Sequence, residues 1–293
     1  MGRVAYVNGR YVPHSDATVS IEDRGYQFAD GVYEVVAIWN GCAVDLAPHM
    51  DRLDRSMSEL RFATPPHRHA LGVIARETVR RNKVKRGILY IQINRGTAPR
   101  NHPFPMDSQG CSVVMTARSG LGPSAAQAEN GVALSVQPDI RWRRRDIKTV
   151  GLLANVLNKQ RAKEQGAFEA LLIDPDETVT EASAANVWIV DKDGTLKTRP
   201  LGPEILGGIT RARVIDLAAR NGLKVEETSF ALDDVLSARE VFLTGTTTFV
   251  LPVTQVDEHT IANGHPGETA RSLRQSYLTY LDGLREEESW RVS

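Results

Sequence analysis

Cysteine is scarce in this 293-residue chain: Cys42 and Cys111 are the only two. Two are too few for a disulfide framework or a thiolate metal cage. The N-terminal stretch MGRVAYVNGR carries no apolar block of the signal-peptide kind, so the expected compartment is the cytoplasm. Long hydrophobic runs are missing too. The longest, such as VWIV at 187–190, fall far short of the ~20 residues that span a bilayer, which excludes a membrane helix. Excess charge of either sign is absent: 36 basic residues balance 36 acidic ones, so no global field draws the chain to nucleic acid or anionic lipid. The seven histidines form no HExxH motif, and no metal is expected. His67 and His69 read as surface residues at a helix start. There is no internal repeat and no low-complexity tract.

What is present is a mixture of strand and helix patterns. Alternating residues flank Asn8-Gly9 and Asn40-Gly41, two hairpin signals. From Pro48, Met50, Leu53, Met57 and Leu60 recur at helical spacing, and HRHALGVIARETVRRN predicts a second helix. GILYIQINRG reads as a largely buried strand. Small residues and a proline in SGLGPSAAQAENG mark a boundary, giving a small domain over 1–119, a linker over 120–130 and a larger domain over 131–293. Beyond it, VALSVQPDIRW, FEALLIDPDETVTEASAANVWIV and EVFLTGTTTFVLPVTQV carry strand character. TRARVIDLAARNG and ETARSLRQSYLTYL read as helices, the first stopped at Gly222. Strands and helices without regular alternation predict an α+β fold.

Lysine is rare enough for elimination. Seven of the eight lysines lie in polar surroundings, whereas Lys148 follows a strand-like DIRW segment into an apolar stretch. Desolvation there would favour a neutral, nucleophilic amine. The same lysine also fits the end of an exposed basic run with Arg141 and Arg143 to Arg145, and spacing alone does not choose. Glu181 stands between alternating residues and an Ala-Ser-Ala-Ala-Asn loop, where it could accept a hydrogen bond from a protonated ring nitrogen or simply face water. Gly207 and Gly208 lead into Thr210 as an expected N-cap; the terminus could take a phosphate, though on these letters alone a plain capped helix is the favoured reading. Gly245 to Thr248 offers hydroxyls and close backbone, again compatible with a phosphate cup or an ordinary strand. In the irregular NRGTAPRNHPFP loop, Arg100 and His102 are two apart and project to one side, an arrangement suited to a carboxylate or to solvent.

Together, EDRGYQFADGVYEVV, HMDRL, RGTAPRNHPFP, DIRWRRRDIKTVGLLANVLNKQ, TVTEASAANV, GGITR and LTGTTTF resemble, in family order, the fold type IV pyridoxal-phosphate transaminases, and among them those that act on D-amino acids. The resemblance spans nearly the whole chain. It implies a two-domain fold with a smaller N-terminal α/β domain and a larger C-terminal pseudo-barrel domain carrying the lysine. Lys148 is implied to hold pyridoxal 5′-phosphate covalently and to move the substrate α-proton. Glu181 would pair with the pyridine nitrogen, and Arg52, Ile209, Thr210, Thr246 and Thr247 would hold the phosphate. Tyr33, Arg100 and His102 would trap the substrate carboxylate, with D-amino acids and 2-oxo acids as partners in ping-pong exchange. A homodimer is implied as well. Ala184 and Ala185 stand where the family commonly has serines. Rival readings are a branched-chain L-transaminase, an (R)-selective amine transaminase or an aminodeoxychorismate lyase. A nucleic-acid module using Arg141, Trp142 and Arg143 to Arg145 is the rival of another class.

Overall fold

The computed structural model describes residues 2–105 and 110–292. The chain forms two compact units: Met1–Leu121 with Ile147–Gly151 and Leu281–Ser293, and Gly122–Asp146 with Leu152–Tyr280.

In the first unit β1 (Val4–Val7) and β2 (Arg10–Pro13) form the hairpin at Asn8-Gly9, and α1 (Arg24–Phe28) precedes β3 (Gly31–Trp39) and β4 (Cys42–Ala43). Then come α2 (Leu46–Glu59), α3 (Arg68–Arg81), β5 (Arg86–Asn94) and β6 (Ser112–Ser119). The strands make one antiparallel sheet in the order β2-β1-β6-β5-β3-β4. Two apolar helix faces cover it: Leu46, Met50, Leu53 and Met57 of α2, and Leu71, Ala75 and Val79 of α3, pack with Val36, Ile38, Leu89, Ile91 and Ile93. Each such large side chain contributes about 1.5–3 kcal/mol on full burial. At Gly87 a Cβ would lie 2.1 Å from the Arg118 carbonyl oxygen, so only glycine lets β5 and β6 approach there.

In the second unit α4 (Ala125–Asn130) leads to β7 (Val132–Pro138), α5 (Leu153–Glu164), β8 (Glu169–Ile173), β9 (Val179–Ala182), β10 (Asn186–Val190) and β11 (Leu196–Thr198). There follow α6 (Ile209–Arg220), β12 (Val225–Glu227), α7 (Leu232–Leu236), β13 (Glu240–Gly245), β14 (Phe249–Val256), β15 (His259–Thr260) and α8 (Glu268–Asp282). The nine-stranded sheet runs β12-β11-β10-β13-β14-β7-β8-β9, with β15 on β14. It is mixed: β11/β12, β14/β7 and β7/β8 are parallel and the other pairs antiparallel. One face buries Leu134, Leu171, Val187, Ile189, Val241 and Leu251. Trp188 alternates to the other face, stacks on Phe242 at 5.5 Å and donates its indole N–H to Thr244. The C-terminal stretch, with α9 (Glu286–Ser289), returns Trp290 and Val292 to the first unit's core.

The α+β architecture is the expected one. The units, however, are not two contiguous halves. Ile147–Gly151 sits in the first unit, because Ile147 is buried in that core and Thr149 bridges Val32. Lys148 therefore belongs structurally with residues 1–121, whereas the sequence reading placed it in the C-terminal domain. Within the expected linker, Ser124 and Gln127 close a capping box on α4. Among the described residues no helix is long and apolar enough to cross a membrane.

Candidate active site

Lys148 lies on a stretch, 139–152, with no regular structure apart from the bridge at Thr149. The sequence reading set it at a strand end; the strand stops earlier, at Pro138. Proline cannot continue a ladder as donor, and the basic residues beyond it turn to acids. Arg141 and Arg145 both pair with Asp139, and Arg145 also reaches Asp174 at 2.8 Å. Arg141 and Arg145 are thus committed to structure, which removes them from the nucleic-acid patch considered above. Lys148 is held by its backbone: its carbonyl accepts the Tyr33 N–H at 3.0 Å, and Val150 N–H reaches Gly31. Its Nζ lies 3.4 Å from the Tyr33 hydroxyl and 4.4 Å from that ring's centroid. Among the described residues no carboxylate pairs with it, and it is half-buried. Behind Tyr33, burial and the neighbouring phenol push Tyr90 up to about 12.

Tyr33 and Glu34 are consecutive on β3 and therefore project to opposite faces. Glu34 is fully buried towards α2, where Arg52 grips it through Nε and Nη2, both at 2.8 Å, and His49 meets it at 2.6 Å. His49 and Arg52 are three residues apart on α2, hence on one face. Burial works against the Glu34 anion, but Arg52 and His49 outweigh it and hold the carboxyl far below its usual value. Burial also lowers the His49 pKa, against the pull of Glu34. Below the ordinary histidine value of 6.5 the unfolded chain then binds the proton more readily, so stability falls as pH drops through that value towards the depressed folded one. We expect unfolding free energy to fall more for wild type than for His49→Gln between about pH 7.5 and about pH 5.5, by up to ~1.4 kcal/mol per pH unit, seen as a larger drop in the thermal midpoint. Equal falls in both proteins would contradict it.

Arg100 and His102 form a separate cluster. Both lie on exposed loop positions and flank Phe28, the Arg100 guanidinium 4.9 Å and the His102 ring 5.4 Å from that ring.

The second unit brings together the other predicted residues. Glu181, on β9, is buried rather than solvated. Arg141 forms an ion pair with one oxygen, and Asn186 Nδ2 donates to the other at 3.1 Å. The Leu206 N–H reaches both at 3.3 Å. Burial pushes the Glu181 carboxyl up while Arg141 pulls it back. Burial likewise opposes the Arg141 cation, yet Glu181 and Asp139 raise its pKa further. Asn186 also binds the Leu206 carbonyl, tying Glu181 to the loop that enters α6.

That helix starts at Ile209 with Gly208 as N-cap, two positions before the expectation, and Thr210 is a buried first-turn residue. No side chain caps the terminus. A Cβ at position 208 would fall 2.0 Å from Asn186 Oδ1, so the close approach of loop and strand selects glycine. The turn between β13 and β14 packs nearby: the Cβ site of Gly245 is 3.4 Å from the Ala184 carbonyl. Thr246 and Thr247 lie on this turn, Thr248 Oγ1 is buried with no partner, and Phe249 is held at φ 59°. First-turn amides with no capping side chain and an unpartnered hydroxyl suit an anion.

Residues 31–256 match the family described as amino-transferase class IV. The chain belongs to that family. This class IV aminotransferase is similar to the D-alanine aminotransferase of Bacillus licheniformis, with 41% identity over 91% of this chain and 93% of that protein. It is similar in structure to the branched-chain aminotransferase of the archaeon Thermoproteus uzoniensis with norvaline. The TM-score is 0.83 at 28% identity, covering 98% of this chain and 97% of that one. The Escherichia coli branched-chain enzyme, at TM-score 0.90 and 23% identity over the full length of both chains, shares the fold. Asp139, Arg141, Asn186, Glu34 and His49 are residues of the aminotransferase that sequence reasoning did not assign to the site. The spacing of Asp139 and Arg141, two apart beside a strand end, was the available signal for the first pair.

Proposed function

We propose that the chain binds pyridoxal 5′-phosphate and transfers amino groups between D-amino acids, of the D-alanine and D-glutamate type, and 2-oxo acids. One arrangement carries the reading: in the second unit a buried carboxylate, Glu181, is tied through Asn186 and Leu206 to the uncapped start of α6. That provides an anion for a cationic ring nitrogen and a terminus for a phosphate within one neighbourhood. The cofactor supplies an electron sink for the carbanion formed at the substrate Cα. Glu181 would keep the ring nitrogen protonated, with Arg141 fixing the carboxylate's orientation. Ile209, Thr210, Thr246 and Thr247 would hold the phosphate with Arg52, which Glu34 orients. Lys148 would bind the cofactor covalently and move the proton at Cα.

Substrate handedness rests on the D-alanine aminotransferase likeness, which at 41% identity exceeds the 28% to the Thermoproteus uzoniensis branched-chain structure. Tyr33, Arg100 and His102 would take the carboxylate. With a 2-oxo acid acceptor, D-alanine and D-glutamate should be turned over well and L-valine poorly; equal or better rates with L-valine would reverse the assignment. Arg100→Ala should raise KM about tenfold or more for D-amino acids and little for simple amines. Equal effects on both would remove the carboxylate role.

A homodimer is part of the proposal. Leu153, Val156 and Leu157, at helical spacing on α5, are exposed large apolar residues that a second copy could cover. Light scattering should give about twice 32.3 kDa, and a mass of one chain would contradict it.

A further inference from the structure

The loop that bears Arg100 and His102 contains Pro99, Pro103 and Pro105, and its described residues form no helix or strand beyond an isolated bridge from Thr97 to Asp23. Its carbonyls therefore depend on donors from elsewhere. One buried side chain supplies donors to those of residues 101–103. Arg24, 4% exposed, donates Nη1 to the Asn101 carbonyl at 2.6 Å and Nη2 to the His102 carbonyl at 3.2 Å. Its Nε goes to Asp30 at 2.8 Å. The same guanidinium lies 4.9 Å from the Phe28 ring centroid, and that ring is the one flanked by Arg100 and His102.

Asp30 is shared. Arg95, at the start of the loop, donates Nε to it at 2.8 Å and spends its other nitrogens on the Leu60 and Arg61 carbonyls. Arg95 also lies 3.7 Å from the ring centroid of Phe104, in the middle of the loop. One carboxylate thus holds two nearly buried guanidiniums, and through them the start of the loop and its stretch 101–104. The planar fork matters here, because a single Arg24 bridges the successive Asn101 and His102 carbonyls, with the Pro103 carbonyl a further 3.4 Å contact, and the acid at once.

We propose that Arg24, held by Asp30, is the positioning residue that sets Arg100 and His102 for the substrate carboxylate. The proposal rests on the carboxylate role given to that pair above. Arg24 touches no substrate in this scheme; it acts through the loop backbone. Loss of its fork should let the pair drift, which weakens capture of the carboxylate and leaves proton movement at Lys148 intact.

The test is a double-mutant cycle on the holoenzyme with D-alanine as substrate. Arg24→Met is expected to raise KM about tenfold and to change kcat by less than about threefold. In an Arg100→Ala background the same substitution should change KM by less than about twofold, because both act through one interaction. A substitution that merely loosened the fold would lower kcat and add its effect to that of Arg100→Ala. Arg24→Lys keeps a cation beside Asp30 but cannot bridge the two carbonyls. It should show the same KM rise and stands in should the methionine variant fail to fold. An unchanged KM in the folded variant, or full additivity with Arg100→Ala, overturns the proposal. If Arg100→Ala itself left KM unchanged, the carboxylate reading would fall first and this inference with it.

Discussion

Lys148→Ala is expected to lower kcat for D-alanine transamination by at least about 10³-fold, with little change in the thermal midpoint. Two proposed functions would leave with one amine: the covalent hold on the cofactor and the proton carrier at Cα. Little stability should be lost, because the segment is anchored by backbone bonds to Tyr33 and Gly31 and by buried Ile147, none of which needs the ammonium. Nor does any described carboxylate depend on that cation. Steady-state rates and a melting curve on the same preparation check both halves. Activity within tenfold of wild type, about 1.4 kcal/mol in barrier, would remove Lys148 from the chemistry.

Glu181→Gln should have the second-largest effect, a fall in kcat of about 10²-fold or more, since an amide cannot act as the anion opposite a cationic ring nitrogen. Here stability should suffer too. Arg141 is nearly buried and divides its charge between Asp139 and Glu181, so removing one anion leaves a cation under-compensated. The expected pattern is therefore a lower melting temperature together with a slower enzyme that still binds its cofactor. An unchanged kcat, with or without a stability loss, would mean that Glu181 is only the structural partner of Arg141.

The sequence exposed those parts of the fold whose signals are local. The α2 stripe of Met50, Leu53 and Met57 and the Asn-Gly turns needed no knowledge of distant residues, and they are where the letters put them. Nothing local marks Ser112–Ser119 as a strand in the middle of a sheet, because its role comes from pairing with Ala5–Val7 on one side and Gly87–Asn94 on the other. The domain boundary shows the same limit. Ile147–Gly151 is only five residues, and its attachment to the first unit depends on Val32 and a buried isoleucine pocket, both remote in sequence.

The site was legible as residue types before it was legible as geometry. Glu181 could be singled out, but its burial follows from Arg141 and Asn186, which satisfy a carboxylate that would otherwise face water. Arg141 looked like one member of a basic run; its acid partners, Asp139 and Glu181, lie two and forty positions away, and only folding brings the second one near. Thr210 lies two residues past the true cap, since Gly208 is dictated by the Asn186 side chain and not by helix propensity. Ala184 and Ala185 bring no side-chain hydroxyl to the Gly245 turn they pack against, and we propose that side-chain preference among D-amino acids is set there.

The most direct test of the central claim is chemical. Purified protein, loaded with pyridoxal 5′-phosphate and reduced with borohydride, should carry a stable pyridoxyl label on a single peptide, the one containing Lys148. A label on any other lysine, or a protein that stays colourless and unlabelled after soaking in the cofactor, would contradict the assignment.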